Sequence, residues 1–335
     1  MSTTTLQQAA DKIVAITADY RSDEGAYAPK SARVLTWLDQ FELATKDKQK
    51  FLAAYSGVLE KSYFSRANVE QFLKKLAENP KLTQSDPKAF WQKTRLLNIQ
   101  QGGRSQAEMI AILNPILETQ VKTASTGSDN AQSVIYLDDV LFSGNRIVHD
   151  IGAWLPNSPK EVRLILIVIA RHTGGWFYVE KRLNELAKEA GKKVSIELWS
   201  LKTFNNMSND GSMADVFRLA ACPIDDETKQ YLALVSPKDP AALLRGSGKN
   251  SSNYFEDEES RRLLEDSFWK TGLVVRERCP NFKETHRPLG YTSTGSKNKL
   301  GFGSTIVTYR NCPNNAPLAL WAGAPWLPLF PRKNN

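Results

Sequence analysis

Residues 133–148, SVIYLDDVLFSGNRIV, gather the most chemistry in the chain. Two adjacent acids, Asp138 and Asp139, close an apolar run. Three apolar residues and the loop Ser143-Gly144-Asn145-Arg146 follow. Paired carboxylates of this kind can clamp catalytic metal ions at a hairpin. They can also stand beside a hydroxyl-and-glycine bend that seats a phosphate. The surrounding elements decide between the two.

A metal-clamping hairpin of the reverse-transcriptase type needs another aspartate on a strand well upstream, because two ions are held by carboxylates from separate strands. No strand-like segment before Asp138 offers one, and no long thumb-like segment follows. Residues 1–80 read as helices instead. Ala32, Val34, Leu35, Leu38 and Phe41 recur at helical spacing, as do Phe51, Leu52, Tyr55, Val58 and Leu59. Leu96 to Ile99 reads as a short strand, followed by the turn Gly102-Gly103-Arg104 and a helix from Ser105 to about Val121. Residues 123–131 form a polar loop. Val134 to Leu137 is a second strand, Arg146 to Trp154 a helix, and Arg163 to Ala170 a third strand, apolar enough to be buried on both faces. Residues 176–190 are helical, and Val194 to Leu198 is a fourth strand. Strands alternating with helices over short joins predict a mainly parallel, doubly wound α/β sheet.

After about residue 206 the pattern weakens. Residues 244–253 and the glycine-rich 286–304 read as loops, 256–270 as a helix opened by acids, and Thr305 to Tyr309 as a last strand. The expected organisation is a helical region over 1–90, an α/β core over 91–235, and a C-terminal α+β extension over 236–335 packing on the core.

In an open parallel sheet, ligands bind beyond the carboxyl ends of the strands. Asp138 and Asp139 are expected at such an end. The loop after them enters a helix whose first N–H groups and dipole form an anion site, with Gly144 allowing close backbone approach. Ser143 adds a hydroxyl donor, and Arg146 adds positive charge or else pairs with a surface carboxylate. Carboxylates beside a phosphate site suit a ribose diol and a magnesium ion.

The bulk composition sets wider bounds. The chain has 335 residues, 44 Lys and Arg against 36 Asp and Glu, and a net charge of +8. The basic residues are scattered, with Lys192-Lys193 and Arg261-Arg262 only as pairs, so nucleic-acid contact is compatible with the charge but not established by it. Cys222, Cys279 and Cys312 lie far apart without metal-ligand spacing, pointing to a reducing compartment. No signal-peptide pattern opens the sequence, and the longest apolar run, Leu164 to Ala170, is too short to span a bilayer. A cytoplasmic protein without membrane contact is expected.

The order of apolar strand, Asp-Asp, three apolar residues and Ser-Gly resembles the phosphoribosyl pyrophosphate (PRPP) signature of type I phosphoribosyltransferases. Across roughly residues 90–335 the chain is similar to a divergent branch, the phosphoribosyltransferase-like proteins of bacterial conflict systems, some associated with retrons. Asn311-Cys312-Pro313-Asn314-Asn315 with Trp321, then Trp326 to Arg332, resembles the C-terminal region of that branch.

The resemblance implies a type I phosphoribosyltransferase-like fold, PRPP or a related (deoxy)ribonucleotide as ligand, magnesium as cofactor, and a role as an effector in anti-phage defence. Implied partners are another defence-system protein and, in retrons, a reverse transcriptase with its DNA product. On this reading Asp138 and Asp139 hold the ribose and the metal, and Ser143, Gly144, Asn145 and Arg146 hold the 5′-phosphate. Gly102, Gly103 and Arg104 meet the pyrophosphate. Familiar members carry a second threonine in the phosphate loop where this chain has Arg146. An enzyme transferring phosphoribose and a nucleotide-sensing or partner-binding module without turnover therefore both stand.

Several features also have plainer readings. Ser105 and Glu108 match a Ser-x-x-Glu capping box. Asn314 and Asn315 either read a polar group of the ligand or make an ordinary turn after Pro313. Arg171-His172-Thr173-Gly174-Gly175 is a further ligand loop or a strand-to-helix turn. His149 reads as structural, and Trp321 and Trp326 as packing residues.

Overall fold

The computed structural model describes residues 5–24, 27, 29–125, 127, 131, 133–207, 213–235, 244–245, 252–279, 282–293 and 298–332. Parts of the three expected loops, residues 126, 128–130, 246–251 and 294–297, lie outside the described residues. Among those described, the elements run in chain order as α1 (Leu6–Ile16), α2 (Ser31–Leu38), α3 (Thr45–Ser62), β1 (Tyr63–Phe64), α4 (Arg66–Ala77), α5 (Pro80–Thr83), α6 (Pro87–Lys93), β2 (Thr94–Leu96) and α7 (Ser105–Ile116). They continue as β3 (Ser133–Leu141), α8 (Asn145–Trp154), β4 (Glu161–His172), α9 (Thr173–Glu189), β5 (Lys193–Phe204), α10 (Asp226–Val235), α11 (Glu258–Arg278), β6 (His286–Arg287), β7 (Gly290–Tyr291), β8 (Val307–Thr308) and α12 (Leu318–Trp321).

These elements divide into two compact units. Ala67–Phe204 forms one, the sheet unit; Met1–Arg66 and Asn205–Asn334 together form the other, a discontinuous unit.

In the sheet unit, β2, β3, β4 and β5 form one parallel sheet in that order. The strand β4, EVRLILIVIARH, is apolar and β-branched along most of its length, which suits burial on both faces. Val134 and Tyr136 of β3 and Leu164, Leu166 and Val168 of β4 join one core cluster. Ile147 and Ile151 of α8 and Val179 and Leu183 of α9 complete it. Alternate strand residues and every third or fourth helix residue supply these contacts, as pleat and helix period require.

Several boundaries differ from expectation; β5 runs on to Phe204 rather than Leu198, and α11 to Arg278 rather than about residue 270. β2 ends at Leu96 rather than Ile99, although the Leu97 amide still donates to Ile135 O at 2.8 Å. The helix from Ser105 is α-helical only to Ile116. Pro115 has no N–H for the carbonyl four residues back, and a wider π-helical turn, Leu117–Val121, follows. β3 runs on to Leu141, so the two acids lie inside its last turn of pairing, with Asp138 opposite Val168 and Val140 opposite Ala170.

In the discontinuous unit the N-terminal helices grip the end of the chain. Trp37 Nε1 donates to Ala319 O at 2.7 Å, Arg33 donates to Pro328 O, and the Tyr20 hydroxyl donates to Pro331 O. Trp37, Phe41, Phe51, Tyr55 and Phe268 make an aromatic core. The expected last strand is the two-residue β8, which pairs in parallel with β1. Glu265 is wholly buried and bonded to two buried arginines, Arg245 and Arg261, each at 2.8 Å. No helix among the described residues is long and apolar enough to cross a membrane.

Candidate ligand site at the carboxyl end of β3

Asp138 is 4% exposed and Asp139 is half-buried. The strand bends its own main chain around them: the Asp139 amide donates to Asp138 Oδ1 at 2.8 Å, and the Val140 amide to Asp139 Oδ1 at 2.7 Å. Burial pushes the Asp138 carboxyl up to about 7, and the neighbouring Asp139 charge pushes the same way. Hydrogen bonds from the Ser105 side chain and the Asp139 amide oppose them. No ion pair reaches Asp138 among the described residues.

The loop after β3 turns at Gly144, whose φ is +80°, a conformation that costs an L-residue free energy. A Cβ there would also meet Val179 Cγ2 at 2.2 Å. Gly144 is the residue before α8, and no side chain caps that helix start. Ser143, Asn145 and Arg146 are exposed beside it. The Asn145 amide reaches Ser143 Oγ at 3.5 Å; the amides after it and the helix dipole make this an anion-accepting end. The backing of the loop is α9: a Cβ on Gly175 would stand 1.9 Å from Phe142 O. Glycine in the Arg171–Gly175 stretch is thus accounted for by close packing of the α9 start against this loop.

The turn after β2 is brought to the same place. Gly102 and Gly103 both have positive φ, +103° and +87°. Arg146 Nη1 donates to Gly102 O, joining the two loops directly rather than pairing with a surface carboxylate. Gln106, fully buried on α7, accepts the Ile99 and Gln100 amides through Oε1 at 2.6 and 3.1 Å. Its Nε2 reaches Leu137 O at 3.5 Å, one residue before the acids. Asp150, buried on α8, accepts from the Tyr136 hydroxyl at 2.8 Å and from the Gln101 amide at 3.4 Å. Arg104 is exposed at the α7 start.

The expected capping box does not form. Arg104, not Ser105, occupies the cap position, without a side-chain bond. The Ser105 hydroxyl accepts from Gln100 Nε2 at 2.8 Å, which leaves its one proton for Asp138, while Gln100 Oε1 accepts the Gln106 amide.

The structure therefore gathers Gly102, Gly103, Arg104, Asp138, Asp139, Ser143, Gly144, Asn145 and Arg146 in the sheet unit. Asn314 and Asn315 lie in the discontinuous unit, where Asn315 Nδ2 donates to Tyr291 O and Asn314 O accepts the Tyr291 amide. Trp321 and Trp326 are buried there, with their indole N–H groups on Ala316 O and Ala319 O. His149 is largely exposed on α8. Sequence reasoning missed Ser105 as a partner of Asp138, and missed Gln106, Tyr136 and Asp150. Only Asp150 left a signal, an acid three residues after Ile147 on the buried stripe of α8.

A family model matches residues 34–332, spanning this site and most of the chain. The chain belongs to the PRTase-CE family. No curated protein and no solved structure matches it. The expectation of a phosphoribosyltransferase-type protein is met at the level of the family.

As a PRTase-CE protein, the chain offers a carboxylate pair, two glycine turns and a helix start in one place. This set can hold a hydroxyl-bearing group and an oxyanion together. No group of three or more His, Cys, Asp or Glu side chains is placed to hold a metal among the described residues. Asp138 and Asp139 are thus the carboxylates available to magnesium here, and that ion is commonly held by one or two carboxylates plus ligand oxygens and water. A cation would also offset the repulsion between buried Asp138 and half-buried Asp139. The residues suit the ion. A separate cavity of about 660 Å³ opens at the opposite, amino-terminal ends of β2 and β3, beside Phe90, Lys93, Thr94 and Ser133, and does not include the acids.

Proposed function

We propose that this PRTase-CE protein binds PRPP or a related (deoxy)ribonucleotide with magnesium, on a phosphoribosyltransferase-like doubly wound core, as an effector of a bacterial anti-phage defence system of the retron type. The observation that carries the ligand reading is Asp138: a deeply buried carboxyl, held up near 7 and without an ion-pair partner among the described residues, beside the Gly144 bend. A buried acid kept for packing alone would ordinarily be paired or replaced.

In this reading Asp138 and Asp139 accept from the ribose hydroxyls and hold magnesium, which would screen the pyrophosphate charge. Ser143 and the first amides of α8 bind the 5′-phosphate. Gly102 and Gly103 open space for pyrophosphate, with Arg104 and Arg146 supplying positive charge on either side. Phosphoribosyl transfer passes through an oxocarbenium-like state and needs no protein nucleophile. The chain's contribution is then orientation and charge stabilisation.

One observation favours the reading without turnover. The loop has a single hydroxyl, Ser143, and the arginine in place of the second is already committed to Gly102 O. A protein that senses PRPP or a nucleotide through this loop, or holds a partner, would keep the binding geometry and lose the chemistry.

Thermal stability with PRPP and magnesium tests both. A ligand at about 100 times its dissociation constant stabilises the fold by roughly 2.7 kcal/mol. The shift should vanish in Asp138→Asn/Asp139→Asn. No shift in the wild type would end the ligand reading. A shift without pyrophosphate release across candidate acceptors would favour the sensor. Loss of phage protection in the double variant tests the defence role.

A further inference from the structure

A second imbalance of charge lies in the discontinuous unit, at β6 and the end of α11. Arg287 is fully buried; its Nη2 donates to Glu284 Oε1 at 2.9 Å. Its Nε and Nη1 are buried with no hydrogen-bond partner among the described residues, and the same holds for Nη1 of Arg276. The Arg276 guanidinium lies 5.7 Å from the Tyr231 ring centroid, and burial together with the Arg287 charge lowers its pKa. Like charges thus face each other, Arg287 out of water and Arg276 half-buried beside it. The carboxylate paired with them, that of Glu284, is itself 66% exposed. The Tyr231 hydroxyl donates to Lys299 O and its oxygen interacts with Arg287, a single neutral acceptor against two guanidiniums.

Two more donors border the place. His286 Nδ1 accepts the Lys283 amide, which leaves Nε2 to carry the proton. Arg332 lies 4.9 Å over the Trp321 ring, which is 5.9 Å from the His286 ring. Arg276 and Arg332 both act on His286 to lower its pKa, after burial. His286, Arg276 and Arg332 are half-buried, so the cluster has an open side.

Elsewhere in this unit, buried arginines are answered in full: Arg245 and Arg261 share Glu265. Buried guanidinium groups without acceptors are costly, and folded proteins rarely leave them so. Three buried donor nitrogens on two adjacent guanidiniums match the oxygens of a phosphate group better than the two of a carboxylate. We propose that Arg276 and Arg287 form an oxyanion site for a phosphate group, with His286 and Arg332 at its rim. The phosphate is either free or esterified; the chemistry that binds it is the same. This site stands apart from the ligand reading for Asp138 and does not depend on it.

The test uses the full chain carrying Ser143→Ala and Arg146→Gln, which weakens phosphate binding at the α8 loop. Inorganic phosphate, set against chloride at equal ionic strength, should raise its melting temperature saturably. Adding Arg276→Gln should weaken the apparent affinity at least about tenfold. Arg287→Met should abolish the response while leaving the phosphate-free protein at least as stable as its parent, the reverse of what a structural arginine would show. If that variant does not fold, Arg276→Gln decides alone. AMP binding more tightly than phosphate, by a margin that Arg276→Gln removes, would identify an ester, and equal or weaker binding the free ion. No saturable shift, or an unchanged one in Arg276→Gln, overturns the proposal.

Discussion

In the discontinuous unit, Glu265 and Arg261 are wholly buried and bonded at 2.8 Å, with Arg245 closing the group from the other side. In the sheet unit, Asp138 is almost as deeply buried, yet its neighbours are a hydroxyl, an amide and a second acid. The first arrangement holds its charges because each is answered within the chain. The second leaves its charge without an ion-pair partner among the described residues. Burial alone does not separate a structural ion from a functional one; the inventory of partners does.

Breaking the answered group should have the largest effect. Glu265→Gln leaves two buried guanidiniums facing a neutral amide and should destabilise the protein by about 3–5 kcal/mol, read by chemical denaturation. The Asp138→Asn change should do something different in kind. His172, buried between Phe142 and Phe204 with Nδ1 on Leu141 O, has its pKa lowered by burial to about 4. Its unfolded counterpart takes up a proton near 6.5. That group therefore loses stability as pH falls from about 6.5 to 4. Asp138 acts in the opposite sense, since its folded form takes up a proton near 7 and its unfolded form only near 3.9. The contributions of these two groups should largely cancel across that window. Asp138→Asn should expose the histidine slope, up to about 3 kcal/mol by pH 4. A flat profile in the variant would refute the assignment.

Smaller effects sharpen the comparison at the loops. Gly144→Ala should cost about 1–3 kcal/mol from the +80° φ and the Val179 contact, and should abolish any PRPP shift. Arg146→Gln should change global stability by less than about 0.5 kcal/mol. Hydrogen exchange at residues 101–103 should quicken as the bond to Gly102 O is lost.

Much of the sheet unit was legible because its signals are local. The uninterrupted apolar run of β4 and the stripes of α8 and α9 announce themselves by period. The extension of β3 past the acids was not, since acids are poor strand residues and only pairing with β4 holds them there. Asp138, Asp139 and Gly144 could be read as a site, while Ser105, Gln106 and Tyr136 could not. Their polar groups matter through neighbours 14 to 33 residues away or in another element, and Ser105 even mimicked a capping signal. The alliance of residues 1–66 with 205–334 left no local trace at all.

That alliance fixes an order of events during synthesis. The helices α1 to α3 leave the ribosome well before the carbonyls of Ala319, Pro328 and Pro331 that receive Trp37, Arg33 and Tyr20 are made. At roughly 5–20 residues per second, their apolar faces wait on the order of tens of seconds. The sheet unit is complete by residue 204 and has the interval in which to fold ahead of them.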